Sequence, residues 1–410
     1  MRRLATAALM LAMAPAVFAY PDSLVATVDL GGASGPVDVC AAPDGGHVYA
    51  TVEFGLVYSV ETTGYTKDGS CYIGAELGAV CTSPDGAYIF AANAEDGAVE
   101  VVDASAMQHL ATVEVGDEPA CLAVGPEGGR VYATCGMLDL WVVDTSSWTV
   151  SETLPVGGSP RGICVLPDGE TACIARTESY NAALLDLGSY GIEDLFTGAD
   201  TRDVCAVGEG DMVCLTVPPW DLLKLVDVST GEVVADIQGV GDQPSELCAL
   251  PSGSHVYVST EGCGRVMVVD AAAHSVVDSL SIGGEPRGIC TSPSGSKVYV
   301  VDNSSGQLLV VGGGQSGIEG AQGPPGPSLA PAGVNPCRGP ASLRLSLPRA
   351  SRVDLRVYDG AGRLCASASP GTVPAGSRTL EFPLPGAGVY LCVAEACGET
   401  VSARLVSLGE

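Results

Sequence analysis

The chain has 410 residues, of which 54 are Gly and 27 are Pro, and aromatic residues make up only 5%. Its 19 Lys and Arg stand against 48 Asp and Glu, which gives a formal net charge of −29. That charge argues against binding to nucleic acid or to anionic lipid, because phosphate contacts need clustered basic side chains. With 46% hydrophobic and 16% charged residues, the composition excludes a disordered acidic protein, and the length predicts two or three domains.

Residues 1–19 have the organisation of a secretory signal peptide. Arg2 and Arg3 precede an apolar run, and the small residue Ala19 stands at the expected cleavage position. The apolar run is shorter than a transmembrane helix normally needs to span the bilayer. The alternative is a buried N-terminal helix. We therefore expect a secreted or cell-surface protein whose mature form has no membrane-inserted segment.

A short phrase, typically Pro-Asp-Gly or Pro-Ser-Gly before a β-rich run, recurs seven times. Its copies begin at Pro43, Pro84, Pro126, Pro167, Gly208, Pro251 and Pro293. The steps between them are 41, 42, 41, 41, 43 and 42 residues. A second phrase, an apolar run that ends in an acid, keeps the same period at Glu61, Asp103, Asp144, Asp186, Asp227 and Asp270. Four short strands in each unit of this length are typical of a β-propeller blade, so the sequence predicts an all-β, seven-bladed propeller over residues 20–312.

The order of the phrases predicts the order of the strands, with the first run of each unit innermost. After the seventh copy, residues up to 312 supply only three strands. The missing fourth strand matches residues 24–30, near the N-terminus. We expect that strand to complete the last blade and close the ring, which would remove two exposed sheet edges.

The segments VYVVDN (298–303), IFAAN (89–93) and VYVST (256–260), each followed by an acid-ended strand, resemble the YVTN-repeat β-propeller family, with WD40-like repeats. The resemblance covers residues 20–312 and implies the propeller fold. It implies little about the ligand, because propellers carry unrelated functions.

Most of the 16 cysteines are predicted to be structural. Seven fall at or beside one position of the innermost strand, repeated around the axis: Cys40, Cys81, Cys121, Cys164, Cys205, Cys248 and Cys290. Neighbouring sheets pack about 10 Å apart, whereas a disulfide needs Cα atoms within about 7 Å. We expect a ring of small apolar residues that packs the blade interfaces; the alternative is a thiol-lined channel for soft metals. Cys392 and Cys397 are the most plausible disulfide.

Motifs of known catalytic chemistry are absent from the sequence: it contains no HExxH, GxSxG, P-loop or CxxCH. We therefore expect no catalytic residue, no metal site and no cofactor. The aspartates that end the third strands are expected to cap turns, because Asp before Ser, Thr or Ala bonds nearby backbone N–H groups.

The residue that opens each innermost strand should lie at the mouth of the central channel. Around the ring it reads Val37, Gly78, Ala120, Arg161, Arg202, Ser245 and Arg287. Residues 20–320 hold only nine Lys or Arg against 42 acids, a net of −33, so three arginines at one position are a concentration. Together with Ser245 and Glu246 they predict a site for a carboxylate or phosphate. The alternative is local ion pairing with acids of the same turns, namely Asp38, Glu118, Asp200, Asp203, Glu246 and Glu285.

The sequence changes character after residue 312. Residues 313–335 are rich in Gly and Pro and are predicted to be a linker. Residues 336–410 alternate like the strands of a small Ig-like β-sandwich, and residues 337–410 carry eight Arg and six acids. The phrases VDLRVYDGAGRLC (353–365), GAGVYLC (386–392) and the final strand with Arg404 resemble the C-terminal sorting domain of type IX secretion cargo and the Ig-like module of flagellar hook-assembly proteins. That family often has Lys where Arg404 stands. The resemblance implies delivery or attachment through this domain; the alternative is a generic Ig-like cap.

These features favour an exported, non-catalytic binding or scaffold protein. It would be a monomer that holds a protein or polymer partner on one propeller face and contacts secretion or anchoring machinery through its C-terminal domain. The alternatives are a hydrolase of the lactonase type, and a periplasmic or extracellular redox propeller that holds a cofactor.

Overall fold

Short Val-rich runs separated by turn residues fold into seven four-stranded antiparallel sheets in the computed structural model of the chain. The structure describes residues 20–31, 35–312, 328–331, 341–347, 351–359, 363–373, 376–382, 388–396 and 399–407. The predicted signal peptide and Cys397, with its predicted disulfide, lie outside the described residues. Among the residues described, no helix is long and apolar enough to cross a membrane.

Blades 1–4 follow one another along the chain, each with its first strand innermost. They comprise β2 (Pro36–Ala41), β3 (His47–Val52), β4 (Leu56–Glu61) and β5 (Thr66–Tyr72); β6 (Leu77–Thr82), β7 (Tyr88–Asn93), β8 (Ala98–Asp103) and β9 (Gln108–Glu114); β10 (Pro119–Val124), β11 (Arg130–Cys135), β12 (Asp139–Asp144) and β13 (Thr149–Pro155); β14 (Pro160–Val165), β15 (Thr171–Arg176), β16 (Asn181–Asp186) and β17 (Ile192–Phe196).

Blades 5–7 continue the series, and the last blade takes its fourth strand from the N-terminus. They comprise β18 (Val204–Val207), β19 (Met212–Val217), β20 (Leu222–Asp227) and β21 (Val233–Gln238); β22 (Pro244–Ala249), β23 (His255–Thr260), β24 (Arg265–Asp270) and β25 (Ser275–Ser281); β26 (Pro286–Thr291), β27 (Lys297–Asp302), β28 (Gln307–Gly312) and β1 (Ser23–Asp29). Two 3-10 turns, Pro218–Trp220 and Glu261–Cys263, join strands in blades 5 and 6.

The two ends of the propeller carry different turns. Within a blade, the first strand runs from the channel mouth to the Pro-Asp-Gly turn, and the second strand runs back. The turns between second and third strands therefore lie at the mouth end, which we call the mouth face. At the opposite end the acid-capped turns form as expected, because Asp103 Oδ1 accepts the backbone N–H groups of Ser105 at 2.9 Å and Ala106 at 2.8 Å. These hydrogen bonds hold the pKa of Asp103 below its usual range.

The apolar core of the propeller is divided into clusters that lie between successive blades. In one of them Phe90 and Val101 of blade 2 pack against Leu122 and Val131 of blade 3. In another, Val39 of blade 1 packs against residues of blade 7, which closes the ring. Each sheet is therefore held mainly by its two neighbours. Burial at about 25 cal/mol per Å² of apolar area makes these interfaces the main stabilising contribution.

Strand β1 supplies the edge strand that blade 7 lacks. It pairs antiparallel with β28, so that Val28 lies opposite Leu308 and Asp29 opposite Gln307. Just before it, the Tyr257 hydroxyl of blade 6 donates a hydrogen bond of 2.7 Å to the Pro21 carbonyl. The N-terminal segment is thus fastened to two blades.

The chain divides into two units, Met1–Gly317 and Ile318–Glu410. In the second unit, β29 (Ser328–Pro331), β30 (Ala341–Leu347) and β33 (Gly376–Phe382) form a three-stranded sheet. A four-stranded sheet contains β31 (Ser351–Asp359), β32 (Leu364–Val373), β34 (Gly388–Ala396) and β35 (Glu399–Ser407). Strand β29 lies inside the segment that the sequence predicts to be linker; its Leu329 pairs with Leu345 of β30. The Ig-like sandwich stays a prediction.

We expect Tyr257→Phe to lower the free energy of unfolding by about 1 kcal/mol, because it removes the buried hydrogen bond that fastens Pro21. The matched control is Tyr299→Phe, at the same position of blade 7, whose hydroxyl has no hydrogen-bond partner among the described residues. Urea unfolding of both variants measures the difference. Equal losses in the two variants would contradict the assigned role.

Candidate functional site

A cavity of about 440 Å³ opens at the mouth of the central channel. First strands of every blade, or the residues just before them, contribute to its wall. Its charged lining residues are Asp38, Arg161, Arg202, Asp203 and Glu246. The sequence placed Arg161, Arg202 and Glu246 at this mouth, and the structure brings these three together in one cavity.

A β-bulge at the start of the first strands explains why adjacent residues reach the same cavity. In blade 6 the regular pairing with β23 is interrupted between Pro244 and Leu247. Comparable interruptions occur in blades 1, 2, 3, 4 and 7. A bulge re-aims side chains that would otherwise alternate between two faces. In blades 1 to 4 the second and third residues of the first strand therefore both line the cavity.

The third residue of each first strand forms a ring one step deeper than the mouth. Around the axis it reads Asp38, Ala79, Cys121, Gly162, Asp203, Glu246 and Gly288. Asp38 accepts backbone N–H groups from Val39 at 2.7 Å and from Val80 of the next blade at 2.8 Å. Asp203 likewise accepts the Leu247 N–H of the next blade at 3.0 Å. Two of the three acids thus also link adjacent blades.

Glycines make room for these two aspartates. A Cβ on Gly288 would lie 2.6 Å from Asp38 Oδ1, and a Cβ on Gly162 would lie 2.7 Å from the Asp203 Cα and overlap its Oδ1. Real Cβ contacts are not this short. Each aspartate therefore depends on a residue without a side chain in the preceding blade.

The three carboxyl groups hold protons more tightly than ordinary acids. Burial raises the pKa of Asp38 to about 6 and that of Asp203 to about 7. Burial, followed by repulsion from Asp38 and Asp203, raises the pKa of Glu246 well above its usual range. Glu246 and Asp38 are near enough for each to change the pKa of the other. Near neutral pH the three carboxyl groups are therefore not all ionised, because burial and the charge of each neighbour oppose ionisation.

The three arginines at the mouth have different partners. Arg287 pairs with Glu53 at 3.1 Å and does not line the cavity. Arg202 pairs with Glu261 at 3.1 Å, and Ser245 donates to the same Glu261 oxygen at 2.6 Å. The alternative of local ion pairing thus describes two of the arginines, but neither partner is one of the acids that the sequence suggested. Ser245 is buried and does not line the cavity, so it is not placed for the ligand-binding role predicted for it.

Arg161 differs from the other two arginines. It is exposed, and its guanidinium has no ion-pair or hydrogen-bond partner in the part of the chain that the structure describes. Its backbone is fixed, since Thr134 Oγ1 donates to its carbonyl at 2.6 Å and the adjoining Gly162 N–H donates to the Arg202 carbonyl at 2.9 Å. A fixed backbone and an unpaired guanidinium suit the capture of an anion.

The cysteine ring lies deeper in the channel and against the blade interfaces. Cys40 packs against the cluster between blades 1 and 2, and Cys290 against the cluster between blades 7 and 1. Burial raises the pKa of the Cys164 thiol to about 11, so the thiol form persists. Cys121 instead occupies the third position beside the acids. No group of three or more His, Cys, Asp or Glu in the described part of the chain could hold a metal ion.

Sequence reasoning assigned Asp38 and Asp203 only to ion pairs of the turns. Their signal was present, because both fill the third position of a repeat whose other copies are small apart from Glu246. A comparison of that position around the ring, like the comparison of the arginine position, identifies the three acids as one set.

Comparisons with known proteins support the fold and go no further. No protein-family model matches the sequence, and no curated protein matches it. The YVTN resemblance therefore depends on the repeat phrases alone. Among solved structures, a chain of Kuenenia stuttgartiensis hydrazine synthase has a TM-score of 0.63 and 21% sequence identity. The match covers 68% of this chain and 95% of that chain. At this identity the likeness shows a shared propeller fold.

We expect Gly162→Ala to lower the free energy of unfolding by about 1–3 kcal/mol, because the added Cβ overlaps Asp203 and neither backbone can move freely. Gly129→Ala is the control, since a Cβ there meets nothing within 4 Å. Denaturant unfolding compares the two. If Gly162→Ala were as stable as Gly129→Ala, the described packing around Asp203 would be wrong.

The cluster of three carboxyl groups in the channel also predicts that stability depends on pH. The folded chain keeps protons on Asp38 and Asp203 that the unfolded chain releases near its ordinary pKa of 3.8. Stability should therefore fall as the pH rises from about 4 to about 7, by about 1.4 kcal/mol per pH unit for each proton fully retained.

Urea unfolding of the wild type and of Asp203→Asn between pH 5 and pH 8 measures this slope. The variant should show a shallower fall. Asp103→Asn is the control, because the pKa of Asp103 is lowered and its titration lies below this window. A slope unchanged by Asp203→Asn would show that Asp203 is ionised throughout.

Proposed function

We propose that the protein is an exported, non-catalytic binding propeller that holds a protein partner on its mouth face. The observation that carries this proposal is the set of large apolar side chains exposed there. Each is more than half exposed and lies in a turn between second and third strands or at the mouth end of a fourth strand: Phe54, Tyr72, Met137, Leu138, Tyr180, Phe196 and Trp220.

Three adjacent blades present most of this apolar surface. Met137 and Leu138 belong to blade 3, Tyr180 and Phe196 to blade 4, and Trp220 to blade 5. Asn181, which follows Tyr180, pairs with Phe196, so these two aromatic residues are neighbours. Single exposed apolar residues need no explanation, but a contiguous set marks an interaction site. Aromatic residues are also the usual anchors of protein interfaces.

The charge around these residues indicates the kind of partner. A hollow of about 420 Å³ on blades 2 and 3 at the same end is lined by Glu95, Asp96, Glu114, Asp117 and Glu118. The propeller as a whole has nine basic against 42 acidic residues over residues 20–320. A protein that presents Lys or Arg beside apolar side chains would match both features.

Export and anchoring complete the proposal. The signal-like residues 1–19 would direct the chain out of the cytoplasm, and the C-terminal unit, which resembles a sorting domain, would deliver or attach it. We do not extend the activity of hydrazine synthase to this chain, because the likeness is limited to the fold.

Binding of the partner should depend on the aromatic residues of blades 4 and 5. We expect the double variant Phe196→Ser and Trp220→Ser to weaken binding at least tenfold, since each aromatic anchor contributes about 1–2 kcal/mol or more. The measurement is affinity capture from envelope fractions of the producing cells, followed by titration of the captured protein. Raised salt should weaken binding as well, because the acids of this face are exposed.

The control is Leu110→Ser with Val277→Ser, two exposed residues on the outer strands of blades 2 and 6. A partner that is lost only with the mouth-face variant supports the proposal. Capture that is unaffected by both double variants would contradict it, and capture lost equally with both would show non-specific apolar contact.

A further inference from the structure

We infer that the channel cavity binds a small zwitterion, a molecule with a carboxylate or other anionic group at one end and an ammonium group at the other. This goes beyond the proposed partner binding, and it uses a different set of residues. The sequence alone predicted a site for a simple anion. The structure adds the carboxyl groups that change the chemistry of the ligand.

The anionic end of the ligand has a defined place at the mouth. Arg161 lines the cavity with a guanidinium that no described residue neutralises. Arg202, in the next blade, carries Glu261 as its counter-ion. A carboxylate at the mouth would therefore meet one unpaired charge and, beside it, a neutral pair with further N–H donors.

The ammonium end has a place one residue deeper. Asp38, Asp203 and Glu246 line the cavity there from three different blades. No basic side chain in the described part of the chain forms an ion pair or a hydrogen bond with the carboxyl groups of these three acids. Their pKa values are raised, mainly because they are buried. An ammonium group would supply the missing positive charge and donate three hydrogen bonds.

The order of the two sets fixes the orientation of the ligand. Arg161 and Arg202 are second residues of their repeats and the acids are third residues, so the anionic end would face the mouth and the ammonium end the channel interior. Amino acids that differ in the length of the carbon chain between their charged groups are therefore the suitable probes.

The balance of charge and the volume argue against other ligand classes. One unpaired guanidinium lies above a cluster of partly protonated carboxyl groups. This combination favours neither a ligand that carries only negative charge nor one that carries only positive charge. A volume of about 440 Å³ lies at the lower end of the range of about 300–1,000 Å³ known for ligand pockets. At about 30 Å³ per water molecule, it has room for a small amino acid together with several water molecules.

Calorimetric titration of the full mature chain with matched probes tests the inference. Glycine, β-alanine and γ-aminobutyrate sample three charge separations, and butyrate and butylamine each carry only one of the two charges. We expect at least one of the amino acids to bind, and butyrate and butylamine to bind at least tenfold more weakly.

Variants then assign the two ends. Arg161→Ala should weaken the amino acid at least tenfold and leave the residual binding of butylamine unchanged. Glu246→Gln should weaken the amino acid and leave that of butyrate unchanged. The controls are Arg265→Ala and Asp242→Asn, exposed residues on blade 6 and before it that do not line the cavity. Circular dichroism and urea unfolding check that each variant folds.

Three results would overturn the inference. Butyrate binding as tightly as the best amino acid would show a simple anion site, and butylamine doing so would show a cation site. No binding of any of the three amino acids at 10 mM, with the protein folded, would show that the cavity takes no small zwitterion. None of these outcomes bears on the mouth-face partner, which is captured through other residues.

Discussion

Crowding at the central axis is the constraint on which the rest of the structure depends. Seven first strands converge there, each in contact with the first strand of the next blade. Side chains that point inward must therefore be small, or must find a gap in the neighbouring blade. The glycines beside Asp38 and Asp203 provide two such gaps. The cysteines of the ring satisfy the same requirement, since a thiol is small and packs as an apolar group.

Because the axis is crowded, a carboxyl group placed there loses water and needs hydrogen-bond donors from the protein. Asp38 and Asp203 accept N–H groups from the following blade, which replaces the water that a carboxylate loses on burial. These hydrogen bonds lower their pKa values, but burial has the larger effect and leaves both raised. The acids therefore stabilise contacts between blades while remaining short of positive charge. This lack of a positive partner distinguishes the channel from the acid-capped turns of the opposite end, where Asp103 is exposed and its pKa is lowered.

The fold was predictable because its signal is periodic. Seven copies in phase gave the blades, and the missing strand at the end of the series indicated residues 24–30, which the structure pairs with β28. The site was less predictable because it is made between repeats. Asp38 and Val80 are 42 residues apart, so their hydrogen bond does not show in any one unit. Arg287 and Glu53 are 234 residues apart and meet only because the ring closes. Strand β29 was missed for a related reason, since Pro and Gly around it conceal its pairing with β30.

The repeat also explains why the two ends of the propeller differ in what they can bind. At the Pro-Asp-Gly end, turn geometry dictates the residues, because Gly takes a positive φ and the acid caps the backbone. The turns between second and third strands carry no such requirement. They range from Glu-Phe-Gly at residues 53–55 to the 3-10 turn Pro218–Trp220. The large apolar side chains that are exposed to water, and that no turn requires, are concentrated at the end where the channel opens. Side chains for binding can therefore stand at this end without disturbing the turns that the fold requires.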